Sequence, residues 1–240
     1  MQRGDYGYDA PYALIVFACA GVATGIGTIV FWWKGIHGAV PMMVFYSLFF
    51  LANASSFFYT TRRGKHIEWE RILDGLNLRG DESVLDMGCG RGAVLTAVAC
   101  RLTTGKVTGV DIWNAMDQSG NAKEVTLRNA SLEGVAERIQ IETGDMRALP
   151  FSDASFDVVV SSLAIHNISS NNDRKKAIAE AYRVLKPGGR LMIADIRATR
   201  IYEEALHTLG ASNIECRRLG WRFWWGNPIA ATTLLTAAKK

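Results

Sequence analysis

The sequence has no CxxC pair among its four cysteines, Cys19, Cys89, Cys100 and Cys216, and no Cys/His cluster at metal-ligand spacing. That pattern excludes a structural zinc site and a dithiol redox centre as readings, and no metal is expected. The cysteines are expected as free thiols in a reducing compartment. No stripe of Lys and Arg interleaved with aromatics occurs, and the net charge of +4 is modest. Nucleic acid is therefore not an expected partner. No internal repeat or low-complexity linker interrupts the chain. The most informative shortage is of charge. Tyr12–Trp33 has none, Ala39–Thr61 has none, and almost every charged residue lies after Thr61.

Each uncharged run is about 22 residues, enough to cross a hydrocarbon core of roughly 30 Å as a helix. A signal peptide fits poorly: the first run is too long, lacks a basic leader, and a second run follows at once. Two such runs joined by the short link Lys34–Gly38 are hard to bury in so small a protein. Tyr12, Trp32, Trp33 and Tyr59 stand near the run ends, where amphipathic rings favour headgroup depth. Arg62, Arg63, Lys65 and Arg71 follow the second run, against one Lys in the link. That asymmetry places the following domain and the N-terminus in the cytoplasm, and suits anionic headgroups. The reading is an integral membrane protein, with a bacterial inner membrane as its expected home. Residues 1–61 form a transmembrane hairpin and residues 62–240 a catalytic domain. Gly21 and Gly25 make a close-approach step that joins either the two helices of one chain or, in a homo-oligomer, two protomers. Asn53 is expected to bond across the helices or to mark a polar substrate group.

After the hairpin, Ile67, Ile72, Leu73 and Leu76 fall near helical spacing, giving an amphipathic helix over His66–Asn77. Strand and helix signals then alternate. Strands are expected at Ser83–Met87, Lys106–Asp111, Ile139–Thr143, Phe156–Ser161 and Arg190–Asp195, and helices at Ala93–Arg101, Ala122–Gly134 and Arg174–Leu185. This order predicts an α/β fold: a mostly parallel sheet with helices on both faces. Asn213–Arg218 and Thr232–Ala238 are two further strands that would close one edge.

Between the first strand and its helix runs Val84-Leu85-Asp86-Met87-Gly88-Cys89-Gly90-Arg91-Gly92. Gly88 and Gly90 allow a sharp turn and close approach of a ligand to backbone, and the helix start offers free N–H groups. The spacing also satisfies a loose dinucleotide fingerprint, but Asp86 would repel a pyrophosphate. It suits a cation, such as the amino group of a methionine moiety. Asp111 ends the second strand, where an acid can accept from ribose hydroxyls. Asp145 follows the third, placed for an adenine amino group, with the backbone N–H of Met146 beside it.

Together with Leu149-Pro150-Phe151, Ser155-Phe156-Asp157-Val158-Val159 and Arg183-Val184-Leu185-Lys186-Pro187-Gly188-Gly189-Arg190-Leu191, these stretches resemble class I S-adenosylmethionine-dependent methyltransferases over about residues 80–196. Within that family the chain is similar to the quinone and small-molecule methyltransferases that share the Leu-Pro-Phe and Ser-Phe-Asp pattern. The resemblance implies a Rossmann-like sheet and S-adenosylmethionine as cofactor. It implies that Asp86, Gly88, Cys89 and Gly90 hold the methionine end, Asp111 the ribose, and Asp145 and Met146 the adenine. Ile112 or Trp113 would pack on the adenine face, and Ser161 completes the cofactor set. The hairpin is no part of that family's core. The polar stretch Trp113–Asn121 is either a lid over the cofactor or a surface loop.

Methyl transfer from a sulfonium needs mainly alignment. A base is required only where the acceptor keeps a proton near neutral pH. His166, after the fourth strand, is the candidate base, or else only orients the loop; Asn167 is the candidate for orienting the acceptor. Asp195 ends the fifth strand, facing the site or serving structure. Trp221-Arg222-Phe223-Trp224-Trp225 is unusually aromatic for a solvated loop. It reads as packing against the sheet or hairpin helices, as an interfacial anchor, or as the wall of an apolar substrate site. The expected partners are a membrane and a small, lipophilic acceptor.

Overall fold

The computed structural model describes residues 4–114 and 117–240. Two long helices come first, α1 (Pro11–Trp33) and α2 (Val40–Tyr59). Pro41 near the start of α2 is tolerated because the first-turn N–H groups need no intrahelical partner. Both helices are long and apolar enough to cross a membrane. Little of them is buried by the protein itself: Ile15, Val16, Ile26, Ile29, Phe45 and Leu48 are all exposed. Gly21 faces α2 of the same chain, where an added Cβ would meet the Leu51 side chain at 2.7 Å. Its carbonyl accepts from Ser47 Oγ at 2.9 Å, and Gly25 also faces Ser47. The small-residue step thus closes the intrachain hairpin.

A π-helical turn, Thr60–Gly64, leads directly into α3 (Lys65–Gly75). The α/β layer follows: β1 (Ser83–Met87), α4 (Ala93–Ala99), β2 (Lys106–Asp111), α5 (Lys123–Leu132), β3 (Ile139–Thr143), β4 (Phe156–Ser162), α6 (Asn171–Val184), β5 (Leu185–Asp195), α7 (Thr199–Thr208), β6 (Ser212–Arg218) and β7 (Thr233–Ala238). The seven strands lie in the order β3-β2-β1-β4-β5-β7-β6. The first five are parallel, and β7 runs antiparallel to both neighbours. Alternate residues serve opposite faces, as the two-residue period of a strand requires. Val84, Val158 and Val160 join the core under α3 and α4, whereas Leu85 and Val159 join the core with Ile178 of α6 and Tyr202 of α7.

Two departures from the expected elements have local causes. α6 begins at Asn171, earlier than apolar spacing suggests, because Ser170 caps it by accepting from Asp173 N–H. β5 begins at Leu185, paired to Phe156, and the ladder resumes at Val158 with Arg190. Residues 186–189 thus bulge opposite Asp157, in a stretch where Pro187 offers no ladder donor.

The order reverses between β1 and β4, so β1 borders the switch point where ligands bind beyond the strand ends. An N-terminal strap, residues 4–10, packs across this edge. Tyr6 Oη meets Thr96 Oγ1 at 2.8 Å, Asp5 N donates to Asn129 Oδ1, and Arg91 Nη2 donates to Asp5 Oδ2 at 2.9 Å.

Candidate active site

One cavity of about 990 Å³ opens at the carboxyl ends of β1, β2 and β4. Of the sequence-predicted cofactor set, Asp86, Gly88, Cys89, Gly90, Asp111, Ile112, Asp145 and Met146 line it, as do His166 and Asn167. Trp113 and Ser161 do not. Trp113 points away, its indole N–H donating to Thr143 Oγ1 at 2.8 Å. The buried Ser161 hydroxyl donates to Met87 O at 2.8 Å, tying β4 to β1. That leaves Ile112, exposed at the rim, as the apolar residue beside Asp111 that faces the cavity.

Asp86 decides the chemistry. Its side chain is 1% exposed and neither carboxylate oxygen has a hydrogen-bond partner. Burial, with the Asp111 carboxylate nearby, pushes its pKa up to about 8. An orphaned buried carboxylate is costly and calls for a cationic partner. The α-ammonium of a methionine moiety meets that need. Burial also pushes the Cys89 thiol up, with Asp86 adding to the effect, so Cys89 serves as a neutral wall. Gly88 has φ +74°, and a Cβ there would lie 2.2 Å from Ala164 Cβ. Only glycine keeps this turn open. Asp111 is held by Gly90 N–H on Oδ2 and by Trp113 N–H on Oδ1. A carboxylate has capacity for further donors such as ribose hydroxyls.

Asn121 was not singled out by its sequence context, which shows only a polar run. It lines the cavity, donates to Asp111 Oδ1 at 3.2 Å, and keeps a buried Oδ1 without a partner. Part of the polar stretch 113–121 does roof the site: Gln118 Oε1 accepts Arg91 N–H and lies over Gly90. Residues 115 and 116 of that stretch lie outside the described residues. Asp145 stands at the rim, forked by Arg147, whose guanidinium bonds hold the Asp145 carboxyl below its ordinary pKa.

His166 sits on a 3-10 turn after β4, with Nδ1 2.6 Å from Asp195 Oδ1. The approach is off the hydrogen-bonding axis of the ring N–H. Asp195 is buried and accepts from His166 N–H and from Tyr202 Oη, both at 3.1 Å. It therefore fixes the His166 turn, while the ring borders the cavity.

Part of the lining of the same cavity is apolar: Ala13 and Phe17 of α1, Phe57 of α2, and Trp225, Ile229 and Ala230 of the C-terminal loop. Phe57 and Trp225 pack edge to face with centroids 5.0 Å apart. The aromatic loop packs on the hairpin helices: Trp221 stacks on Tyr59, and Thr60 Oγ1 donates to Trp224 O at 2.5 Å. Asn53 does not bond across the two helices. It donates to Phe49 O in its own helix and accepts from Asn227 Nδ2 at 3.0 Å, joining α2 to the loop.

Residues 85–193 match the profile of a methyltransferase domain. The chain is 38% identical over 135 residues to the ubiquinone/menaquinone biosynthesis C-methyltransferase UbiE of Klebsiella pneumoniae, covering 55% of this chain and 50% of the relative. It thus spans about half the length of the curated relatives it matches. A methyltransferase from Aquifex aeolicus described as S-adenosylmethionine-dependent superposes with a TM-score of 0.57 at 18% identity, covering 72% of this chain and 90% of that one. A geranyl diphosphate C-methyltransferase from Streptomyces coelicolor, solved with S-adenosylhomocysteine, gives 0.59 at 16%, covering 72% and 77%. At these identities the structural likeness speaks for the fold.

Proposed function

We propose that this class I S-adenosylmethionine-dependent methyltransferase transfers a methyl group to a small lipophilic acceptor, and that α1 and α2 hold it in a membrane with the α/β domain on the cytoplasmic side. The observation that carries the reading is one cavity lined both by the Asp86 and Asp111 carboxylates and by the Phe17, Phe57 and Trp225 side chains. The cofactor, when bound, supplies a methyl group already activated on sulfur. Asp86 holds the ammonium of the methionine end, Asp111 with Asn121 holds the ribose, and Asp145 with Met146 meets the adenine. The residual task is alignment and exclusion of water. The apolar wall suits it, because an acceptor with an aliphatic tail buries that tail between the feet of the hairpin. His166 takes the acceptor proton where there is one, and Asn167 orients the polar head.

Membrane insertion rests on a physical argument. Two adjacent helices expose large aliphatic and aromatic side chains along their length, and water would penalise that surface heavily. The exposed Arg62 and Arg63 follow α2, which supports a domain on the cytoplasmic side; a bacterial inner membrane is the proposed location. The name of the UbiE relatives makes a precursor in ubiquinone or menaquinone biosynthesis the first acceptor to try.

The test is purified protein in lipid nanodiscs with methyl-labelled cofactor and a total lipid extract. Label in an organic-phase product, lost in Asp86→Ala, is the expected result. Tight cofactor binding with label confined to water-soluble products would refute the lipophilic acceptor and leave a tethered enzyme for a soluble metabolite.

A further inference from the structure

The methionine end of the cofactor carries a carboxylate as well as an ammonium, on the same carbon. If Asp86 takes the ammonium, the cavity must still provide for the carboxylate, and that question rests on the cofactor reading above. Among the described residues, three cationic side chains line the cavity: Lys65, Arg147 and Arg197. Arg147 is committed to Asp145 and lies within 3.4 Å of Asp173, at the adenine end. Arg197 is exposed beyond the end of β5. His66 also lines the cavity, but burial and the Lys65 cation hold its imidazole down to about 3, so it is neutral.

Lys65 is different. It is 4% exposed, and its Nζ meets Asp9 Oδ2 at 2.5 Å. An ammonium has three donors, and Asp9 uses one. The Asp9 carboxylate is itself held from two further sides, by Thr61 Oγ1 at 3.0 Å and Gln118 Nε2 at 3.1 Å. Gln118 in turn accepts Arg91 N–H at 2.9 Å and covers Gly90. The relay Lys65–Asp9–Gln118 therefore ends on the Gly88–Gly90 turn that follows Asp86. Burying an ion pair seldom stabilises a fold by itself, so a buried ammonium at a cavity wall, with Asp9 taking one of its three donors among the described residues, points to a ligand.

We propose that Lys65 binds the carboxylate of the cofactor's methionine end, opposite Asp86, so that the amino-acid head is held between a buried anion and a buried cation. Both members of the Lys65–Asp9 pair are feet of the hairpin. Asp9 lies two residues before α1, and Lys65 opens α3 where the chain leaves α2. The hairpin base thereby completes the cofactor site.

The experiment compares two ligands on the full chain in nanodiscs: S-adenosylhomocysteine and its decarboxylated counterpart, which keeps the amine and lacks the carboxylate. Affinities are read by calorimetry, without turnover. Lys65→Met should weaken S-adenosylhomocysteine by roughly 10- to 100-fold, the range for a hydrogen bond to a charged group, and leave the decarboxylated ligand within about 2-fold. Lys65→Arg, which keeps the charge and guards against a misfolded Met variant, should retain most of the preference for the carboxylate. Equal weakening of both ligands, or no change in either, overturns the assignment: the first makes Lys65 structural, the second irrelevant. Failure of the unsubstituted protein to bind S-adenosylhomocysteine at all would bring down the cofactor reading instead.

Discussion

Asp86 should make the cofactor-free protein less stable as pH rises, and replacing it by asparagine should remove that loss. Its carboxyl is pushed from an ordinary 3.8 to about 8 by burial and by Asp111. The folded state therefore binds this proton more tightly than the unfolded chain. The contribution is fully present below about pH 4 and is lost progressively as pH climbs toward 8. Each pH unit in that window costs about 1.4 kcal/mol. Between about pH 5 and pH 7 the protein should lose on the order of 3 kcal/mol relative to Asp86→Asn, which does not titrate. For a chain of this size that is a widening of the melting-temperature gap by roughly 6–12 °C. The assay is thermal unfolding of both proteins in the same detergent at the two pH values, without cofactor. Saturating S-adenosylhomocysteine should reverse the order, because its ammonium partners the carboxylate and a neutral asparagine side chain cannot match that. Binding at about pH 7 should then release close to one proton, countable by calorimetry in buffers of different ionisation heat. A gap that stays constant across that pH range would refute the buried, protonated Asp86.

His166→Ala should lower turnover while leaving S-adenosylhomocysteine affinity unchanged; equal turnover would show that His166 is not the base. Gly88→Ala places a Cβ against Ala164 at a position with φ +74°. It should weaken cofactor binding and lower stability by more than about 1 kcal/mol, and an unchanged titration and melting curve would contradict the turn geometry. Trp225→Ala removes a buried ring packed on Phe57 and a hydrogen bond to Thr232 Oγ1. It should cost about 3–5 kcal/mol and depress methylation of a lipid acceptor more than cofactor affinity. Parallel losses would make Trp225 a packing residue only.

The parallel strands were legible because each is a short apolar run between turn signals. Ser83–Met87, Lys106–Asp111 and Ile139–Thr143 emerge with the bounds their sequence suggests. The acids at three strand ends were legible for the same reason, since a strand end fixes the edge of the sheet a side chain occupies. Asp86, Asp111 and Asp145 do meet at one cavity. Trp113 and Ser161 do not line that cavity, because sequence position gives the edge but not the direction of a side chain; both turn to backbone or strand partners. The partners of Lys65, Asp9 and Asn53 escaped for a different reason. They are 56 residues away for the Lys65–Asp9 pair and 174 for Asn53–Asn227. No local period encodes such pairings, and a lysine after an apolar helix reads first as a headgroup contact.

That ambiguity bears on what the hairpin is for. A pure anchor would need only apolar length and a flexible joint, yet the contacts at its base are specific hydrogen bonds. Thr61 holds Asp9, Asn53 holds Asn227, and Thr60 holds the Trp224 carbonyl. The helix runs through the π-helical turn into α3 without a loop. α3 is in turn pinned to the sheet, with Trp69 Nε1 donating to Ser162 Oγ at the end of β4. A membrane that fixes the hairpin would therefore fix the cavity as well, because Phe17 of α1 and Phe57 of α2 are themselves part of its lining. An acceptor dissolved in the bilayer would meet that apolar lining on its way to the cofactor. A soluble acceptor would gain nothing from such a fixed pose. The specific contacts of the joint, added to the apolar lining of the cavity, thus support the proposal of a substrate drawn from the membrane.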